Sequence, residues 1–181
     1  MSKLHEFTEA WWTRLVKRDG VVEWLQRIYT AEISGGFRFM NLATEFTGDI
    51  REYDTLRNFA LDEFKHAQMV ATVLETIHVT PSFEHTLNRS ERYWDAVNEG
   101  AVDRWCALAA GAYGKVLALN RFRVVSVHPD TPPNVKVLVD SILPDEARHA
   151  ENLATFAGQR AMEAVRPFHR NGMKAFGLPV E

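Results

Sequence analysis

Two short segments of the sequence carry a glutamate followed three residues later by a histidine. One reads ALDEFKHAQMVATV over residues 60–73, and the other reads LPDEARHAENLATF over residues 143–156. Side chains three residues apart lie on one face of a helix, so each pair can reach the same metal ion. The candidate metal ligands in these segments are Glu63, His66, Glu146 and His149.

The two segments belong to an internal repeat with an offset of 83 residues. Both follow the pattern D-E-x-[KR]-H-A-x-x-x-A-T, and the same offset places Arg38-Phe39 on Arg121-Phe122. Self-similarity at a fixed offset indicates repeated structural units. The simplest interpretation is two helix-loop-helix units of similar build that pack together as a four-helix bundle.

A further candidate ligand, Glu32, lies in the first repeat unit within the largely apolar stretch IYTAEISGG, one turn after Tyr29. A carboxylate is costly to bury alone, so we expect Glu32 to bind a metal or a partner group; otherwise it points to solvent. The repeat places Lys115 at the position equivalent to Glu32, and no acidic residue occurs from 104 to 128. Lys115 and Tyr29 are our candidate catalytic residues.

Lys115 leaves three interpretations open. Three glutamates and one ammonium carry a formal charge of −2, which one divalent ion would balance, so Lys115 could replace a second ion. A neutral or carbamylated Lys115 could instead bind a metal itself, because buried lysines lose their proton readily. In the third interpretation Lys115 extends to the surface and the repeat register is wrong.

Apolar residues spaced three and four apart predict helices almost throughout, and therefore an all-α protein with a single domain over residues 1–181. The strongest strand candidate, FRVVSV at 122–127, is isolated. Pro144 predicts a kink or a new helix start, and a short tail is expected from Pro167. Gly35-Gly36 indicates either close helix packing or a substrate channel. The predicted helices are 3–18, 21–46, 50–77, a short 91–98, 101–126 and 135–165.

With these motifs in place, residues 21–160 resemble the ferritin-like di-iron carboxylate proteins, and DEARH resembles the signature of their oxygen-activating members. The resemblance implies a ferritin-like four-helix bundle, here with an additional N-terminal helix and a short C-terminal tail. It also implies a metal site of Glu32, Glu63, His66, Glu146 and His149. Asp62 and Asp145 would orient the histidines, and Lys65 and Arg148 would pair with those aspartates.

The resemblance favours an oxidoreductase that uses iron, or manganese, to activate dioxygen and oxidise a small organic substrate by hydroxylation, desaturation or oxidative cleavage. Carboxylate and imidazole suit iron and manganese, and the single cysteine, Cys106, offers no thiolate site. Phe39, Phe59, Leu117 and Phe122 are expected to exclude water from the metal. The alternatives are a ferroxidase that handles iron and a non-catalytic partner subunit.

The net charge and the distribution of apolar residues limit the classes of partner that we expect. The net charge is −3 and no basic run occurs, which argues against nucleic acid as a partner. The N-terminus lacks the uninterrupted apolar core of a signal peptide, and no apolar run is long enough to span a membrane. We therefore expect a cytoplasmic protein that acts on a small molecule, without membrane or nucleic-acid partners, as a homo-oligomer, most simply a dimer.

Overall fold

The computed structural model describes residues 2–45, 49–83 and 89–180. These residues form α-helices without any strand, so the prediction of an all-α protein is confirmed, and FRVVSV lies within a helix. Phe46, the predicted last residue of the second helix, and 84–88 of the connection lie outside the described residues. The helices are α1 (Lys3–Lys17), α2 (Val21–Thr44), α3 (Ile50–Thr76), α4 (Arg89–Asn98), α5 (Arg104–Val127) and α6 (Pro133–Phe176).

Three of these helices begin at a side-chain cap. Ser2 accepts a hydrogen bond from the His5 backbone N–H, and Asp49 accepts one from that of Arg51. Asp103 accepts one from the backbone N–H of Cys106 at 2.7 Å. Such caps satisfy N–H groups that lack partners in the first helical turn. The Asp103 cap explains why α5 begins at Arg104 rather than at 101 as predicted.

The last helix is longer than predicted. The helix passes through Pro144, and the residues from Pro167, expected to form a short tail, continue helically to Phe176. The backbone departs from helical geometry at Gly158, where φ is 74° and ψ is 162°. The segment after Gly158 is held by burial of Val165 and Met173, so tertiary packing outweighs the local signal of Pro167.

Replacing Gly158 with alanine should lower the free energy of unfolding by about 1–3 kcal/mol, because this region of φ and ψ is nearly restricted to glycine. No atom lies within 4 Å of the added Cβ, so the cost would come from the backbone alone. Gly111→Ala is the matched control: its Cβ would make an ordinary 3.5 Å contact with Leu153, and it should stabilise by up to about 1 kcal/mol. Urea unfolding compares them, and equal midpoints would contradict the expectation.

The helices pack as two adjacent pairs, α2 with α3 and α5 with α6. The pairs meet through α3 against α6 and, more sparsely, α2 against α5, while α1 packs on α5 and α4 packs on α6. One apolar cluster surrounds Trp12, Trp24 and Ile142, and a second surrounds Phe59 and Leu153. In α3, the buried Glu63 and His66 lie in sequence between residues of the second cluster and residues of the first. In α6, the buried Glu146 and His149 lie in the same way between residues of the two clusters.

Candidate metal centre

The five predicted ligands are all buried, with exposed fractions between 0 and 5%. Four of them, from α2, α3 and α6, offer ligand atoms within 4.8 Å of one another. His149 lies beside this group, with its Nδ1 3.0 Å from Glu63 Oε1 and 3.7 Å from Glu146 Oε1. The four that converge are Glu32, Glu63, His66 and Glu146.

Lys115 enters the same cluster from α5. Its Nζ donates to Glu63 Oε1 at 2.7 Å and Oε2 at 2.6 Å, and to Glu146 Oε1 at 2.7 Å. The same nitrogen lies 5.5 Å from the centre of the Phe39 ring. Lys115 therefore does not extend to the surface but reaches the cluster of predicted ligands, as its register position equivalent to Glu32 predicts.

The aspartates beside the glutamates contact the histidines across the helix interface. Asp62 of α3 lies 3.1 Å from His149 Nε2 of α6, and Asp145 of α6 lies 3.2 Å from His66 Nε2 of α3. An aspartate at Nε2 favours the proton on that nitrogen, which leaves the lone pair on Nδ1. Both Nδ1 atoms face glutamates. That of His149 lies 3.0 Å from Glu63 Oε1, and that of His66 lies 3.4 Å from Glu32 Oε2.

Arg148 joins the two aspartates. Its guanidinium donates to Asp62 Oδ2 at 2.6 Å and to Asp145 Oδ1 at 2.7 Å. Lys65, which the resemblance placed in an equivalent role, is exposed and forms no ion pair within the described part of the chain. A single nitrogen of the Arg148 guanidinium, Nη2, therefore serves both aspartates.

Burial and the charged groups of the cluster lower the pKa of one side chain and raise the pKa values of three others. Burial alone would raise the pKa of Glu63, but Lys115 and His149 lower it to about 2. Burial raises the pKa of Glu146 to about 8, although Lys115 opposes this shift. Burial and the neighbouring Glu63 raise the pKa of Glu32. Lys115 is held in its charged form, because the three carboxylates outweigh the effect of burial and raise its pKa.

Several ligand atoms of the cluster remain unsatisfied, which is a test of whether a metal fits. Buried polar groups in proteins almost always have a hydrogen-bond partner, and exceptions call for an explanation. A cation coordinated by carboxylate oxygen and imidazole nitrogen would satisfy such atoms together, so the cluster fits a divalent metal ion. The unsatisfied atoms are Glu32 Oε2, His66 Nδ1, Glu146 Oε2 and His149 Nδ1.

Gly35 and Gly36 allow α2 to approach α3 closely. A Cβ on Gly35 would lie 2.4 Å from Glu63 Oε2, and a Cβ on Gly36 would lie 2.5 Å from the Phe64 ring. Side chains at these positions would displace the Glu63 carboxylate or the ring. The glycine pair therefore serves helix packing at the centre, the first of the two interpretations that the sequence allowed.

The side chains around the cluster agree only in part with those that the sequence predicts. Phe39, Phe59, Leu117 and Phe122 are buried as expected, and the Phe59 ring lies 4.1 Å from the His149 ring. Tyr29 is half-buried against the apolar cluster around Trp12 and Trp24, and no hydrogen bond joins it to the described candidate ligands. The sequence did not predict Trp94, which contacts Gly114 next to Lys115.

Two further findings concern membrane-spanning helices and similarity to known proteins. Among the described residues, no helix has both the length and the apolar character needed to cross a membrane. Comparisons with protein-family models, with curated proteins and with solved structures found no match.

Proposed function

We propose that this chain is a ferritin-like oxidoreductase that uses one divalent metal ion, iron or manganese, to activate dioxygen. The observation that carries the proposal is the convergence of four buried ligand-type side chains, three of which have an atom without a hydrogen-bond partner. Carboxylate and imidazole ligands without thiolate favour iron and manganese. When bound, such a metal would pass electrons from an organic substrate to dioxygen.

The residues of the chain have separable tasks in this proposal. Glu32, His66 and Glu146 would hold the metal, together with one oxygen of Glu63. The aspartates hold the histidines with Nδ1 toward the centre, and the buried phenylalanines exclude water. Low solvent access strengthens the electrostatic interactions of the centre. Tyr29 has no position in this arrangement that supports a catalytic role.

Lys115 supports a count of one ion rather than two. Its ammonium already binds Glu63 and Glu146, the two carboxylates that would otherwise be shared with a second ion. Three carboxylates and one ammonium carry a formal charge of −2, which one divalent ion balances. A protonated lysine has no lone pair, so Lys115 in this state is a counter-charge and not a ligand.

The function is tested by loading metal-free protein anaerobically with ferrous iron and measuring bound iron and oxygen consumption. Wild type should bind about one ion per chain and consume oxygen. Glu32→Gln removes a charged ligand at nearly constant shape. It should reduce both quantities at least about tenfold, because even the loss of a residue that only orients a ligand typically costs roughly 10–100-fold. The matched control is Glu23→Gln, an exposed position on the same helix, which should behave as wild type.

The outcomes separate the alternatives. Equal iron binding and oxygen consumption in wild type and Glu32→Gln would contradict the proposed centre. Failure of wild type to bind any divalent ion would instead favour a metal-free partner subunit, in which Lys115 replaces the metal. Iron oxidation that continues over many ions per chain would favour iron handling.

Lys115→Glu should raise the number of tightly bound divalent ions from one to about two, because four carboxylates carry a formal charge of −4. The added carboxylate would restore at position 115 the residue type of its repeat equivalent, Glu32. Equilibrium dialysis against manganese with elemental analysis measures the count, and Lys65→Glu, at an exposed position, is the control. Unchanged stoichiometry in Lys115→Glu would show that the lysine does not stand in for an ion.

A further inference from the structure

An open cavity of about 790 Å³ lies between α2 and the first turns of α5. Its walls include two large aromatic side chains, Phe37 and Phe83, which are 59% and 43% exposed. Leu42 and Ala107 add apolar surface, and Asn41 offers a polar amide. A mostly apolar concave surface with a few polar groups is typical of small-molecule sites.

Two arginines line this cavity, and they differ in how their charge is satisfied. The Arg104 guanidinium donates to the Glu52 carboxylate and to the backbone carbonyl of Leu42. Arg38 instead places its guanidinium 3.6 Å from the centre of the Trp94 ring. No described carboxylate lies within ion-pair distance of Arg38. Burial lowers the pKa of Arg38 to about 10, so its charged form persists at neutral pH without a counter-ion.

Two acidic residues also line the cavity but do not neutralise Arg38. The Asp103 carboxylate caps the N-terminus of α5 through the backbone N–H of Cys106. Glu45 is exposed and follows Arg38 by seven residues, which is about 10 Å along a helix. A negatively charged group of a ligand is therefore favoured at the Arg38 end of the cavity.

We propose that this cavity binds an apolar organic acid, with its carboxylate on Arg38 and its apolar part against Phe37 and Phe83. A guanidinium presents a planar fork of donors that matches a carboxylate and forms two parallel hydrogen bonds. The Trp94 ring covers one face of the guanidinium, and no described residue accepts a hydrogen bond from it. The exposed aromatic rings would bury their surface against the apolar part of such a ligand.

The cavity lies on the same seam between α2 and α5 as the metal centre. Gly35, which contacts Glu63, precedes Arg38 by three residues, and Lys115 follows Ala107 by eight residues, about 12 Å along α5. The cavity therefore lies about one turn along α2 and about two turns along α5 from residues that contact the cluster. Binding in the cavity is an independent claim, but assigning the acid as the substrate rests on the proposed oxidoreductase function.

Binding is tested by calorimetric titration of EDTA-treated protein with phenylacetate, phenylacetamide and inorganic phosphate. Phenylacetate should bind at least about tenfold more tightly than its neutral amide, since hydrogen bonds to charged groups are the stronger ones. Arg38→Gln should weaken phenylacetate binding roughly ten- to a hundredfold, and Arg38→Lys should recover part of the loss. Arg27→Gln, at an exposed position on the same helix, should leave the affinity unchanged.

Any of the following results would overturn the proposal: equal affinity for the acid and the amide, tighter binding of phosphate than of phenylacetate, or unchanged phenylacetate affinity in Arg38→Gln. Absence of phenylacetate binding to wild type would do the same. The comparison of acid with amide uses only wild type, so a misfolded variant does not decide it. Because the titration needs no metal, its outcome is separate from that of the iron-loading experiment. Phenylacetate binding that survives in Glu32→Gln would place the cavity apart from the metal ligands.

Discussion

Replacing Lys115 with methionine is expected to lower the free energy of unfolding of the metal-free protein by about 3–5 kcal/mol. This is the typical cost of removing one partner from a buried ion pair, because the remaining charge is left without compensation. In the wild-type protein the ammonium contacts Glu63 and Glu146, and both carboxylates are almost fully buried. Methionine retains most of the volume of the lysine side chain and removes only the charge and the three donors.

Chemical unfolding of EDTA-treated protein measures this cost. Lys65→Met is the matched control, since Lys65 is exposed and forms no described ion pair, and it should change the free energy by less than about 0.5 kcal/mol. Saturating manganese should restore much of the stability of Lys115→Met, because a bound ion stabilises the folded state. A Lys115→Met protein as stable as Lys65→Met without metal would refute the counter-charge role.

The second large expected effect is a difference in how much two histidines contribute to divalent-metal affinity, although the sequence presents them as equivalent. His66→Ala should weaken divalent-metal binding at least about tenfold more than His149→Ala, which itself should cost no more than roughly 10–100-fold. His66 belongs to the group of four converging ligands, with Nδ1 3.4 Å from Glu32 Oε2. His149 lies on the side that Lys115 fills, near Glu63.

Titration of both variants with manganese, followed by the paramagnetic resonance of the free ion, gives the two affinities under one condition. Circular dichroism checks that both retain their helices, as the apolar clusters on either side of the centre predict. Equal losses in the two variants would contradict this expectation and indicate that both histidines bind metal.

Much of the site could be predicted from the sequence because its parts repeat. The E-x-x-H spacing fixes one helix face, and the 83-residue offset brings Glu32 and Lys115 into register with it. The bounds of α2 and α3 also follow, since apolar periodicity extends over many turns and Asp49 caps the second of these helices. Local physical rules suffice where one helix alone decides the outcome.

The parts that the sequence did not predict depend on how helices face one another. The exchange of partners, Asp62 with His149 and Asp145 with His66, depends on the distance and rotation between α3 and α6. The helical course beyond Pro167 depends on burial against α4, with Gly172 in contact with Tyr93. Neither effect can be recognised from the residues that lie next to these positions in the sequence.

The exchanged aspartate–histidine contacts have the pattern of a two-fold axis between α3 and α6. In such an arrangement each half makes the same contact to the other, as in an isologous dimer. Glu63 and Glu146 follow this symmetry, whereas Glu32 and Lys115 break it with opposite charges. Two positions that the backbone makes equivalent therefore differ in electrostatic potential. We therefore expect a first cation to bind on the Glu32 side rather than to be distributed statistically between two equal sites.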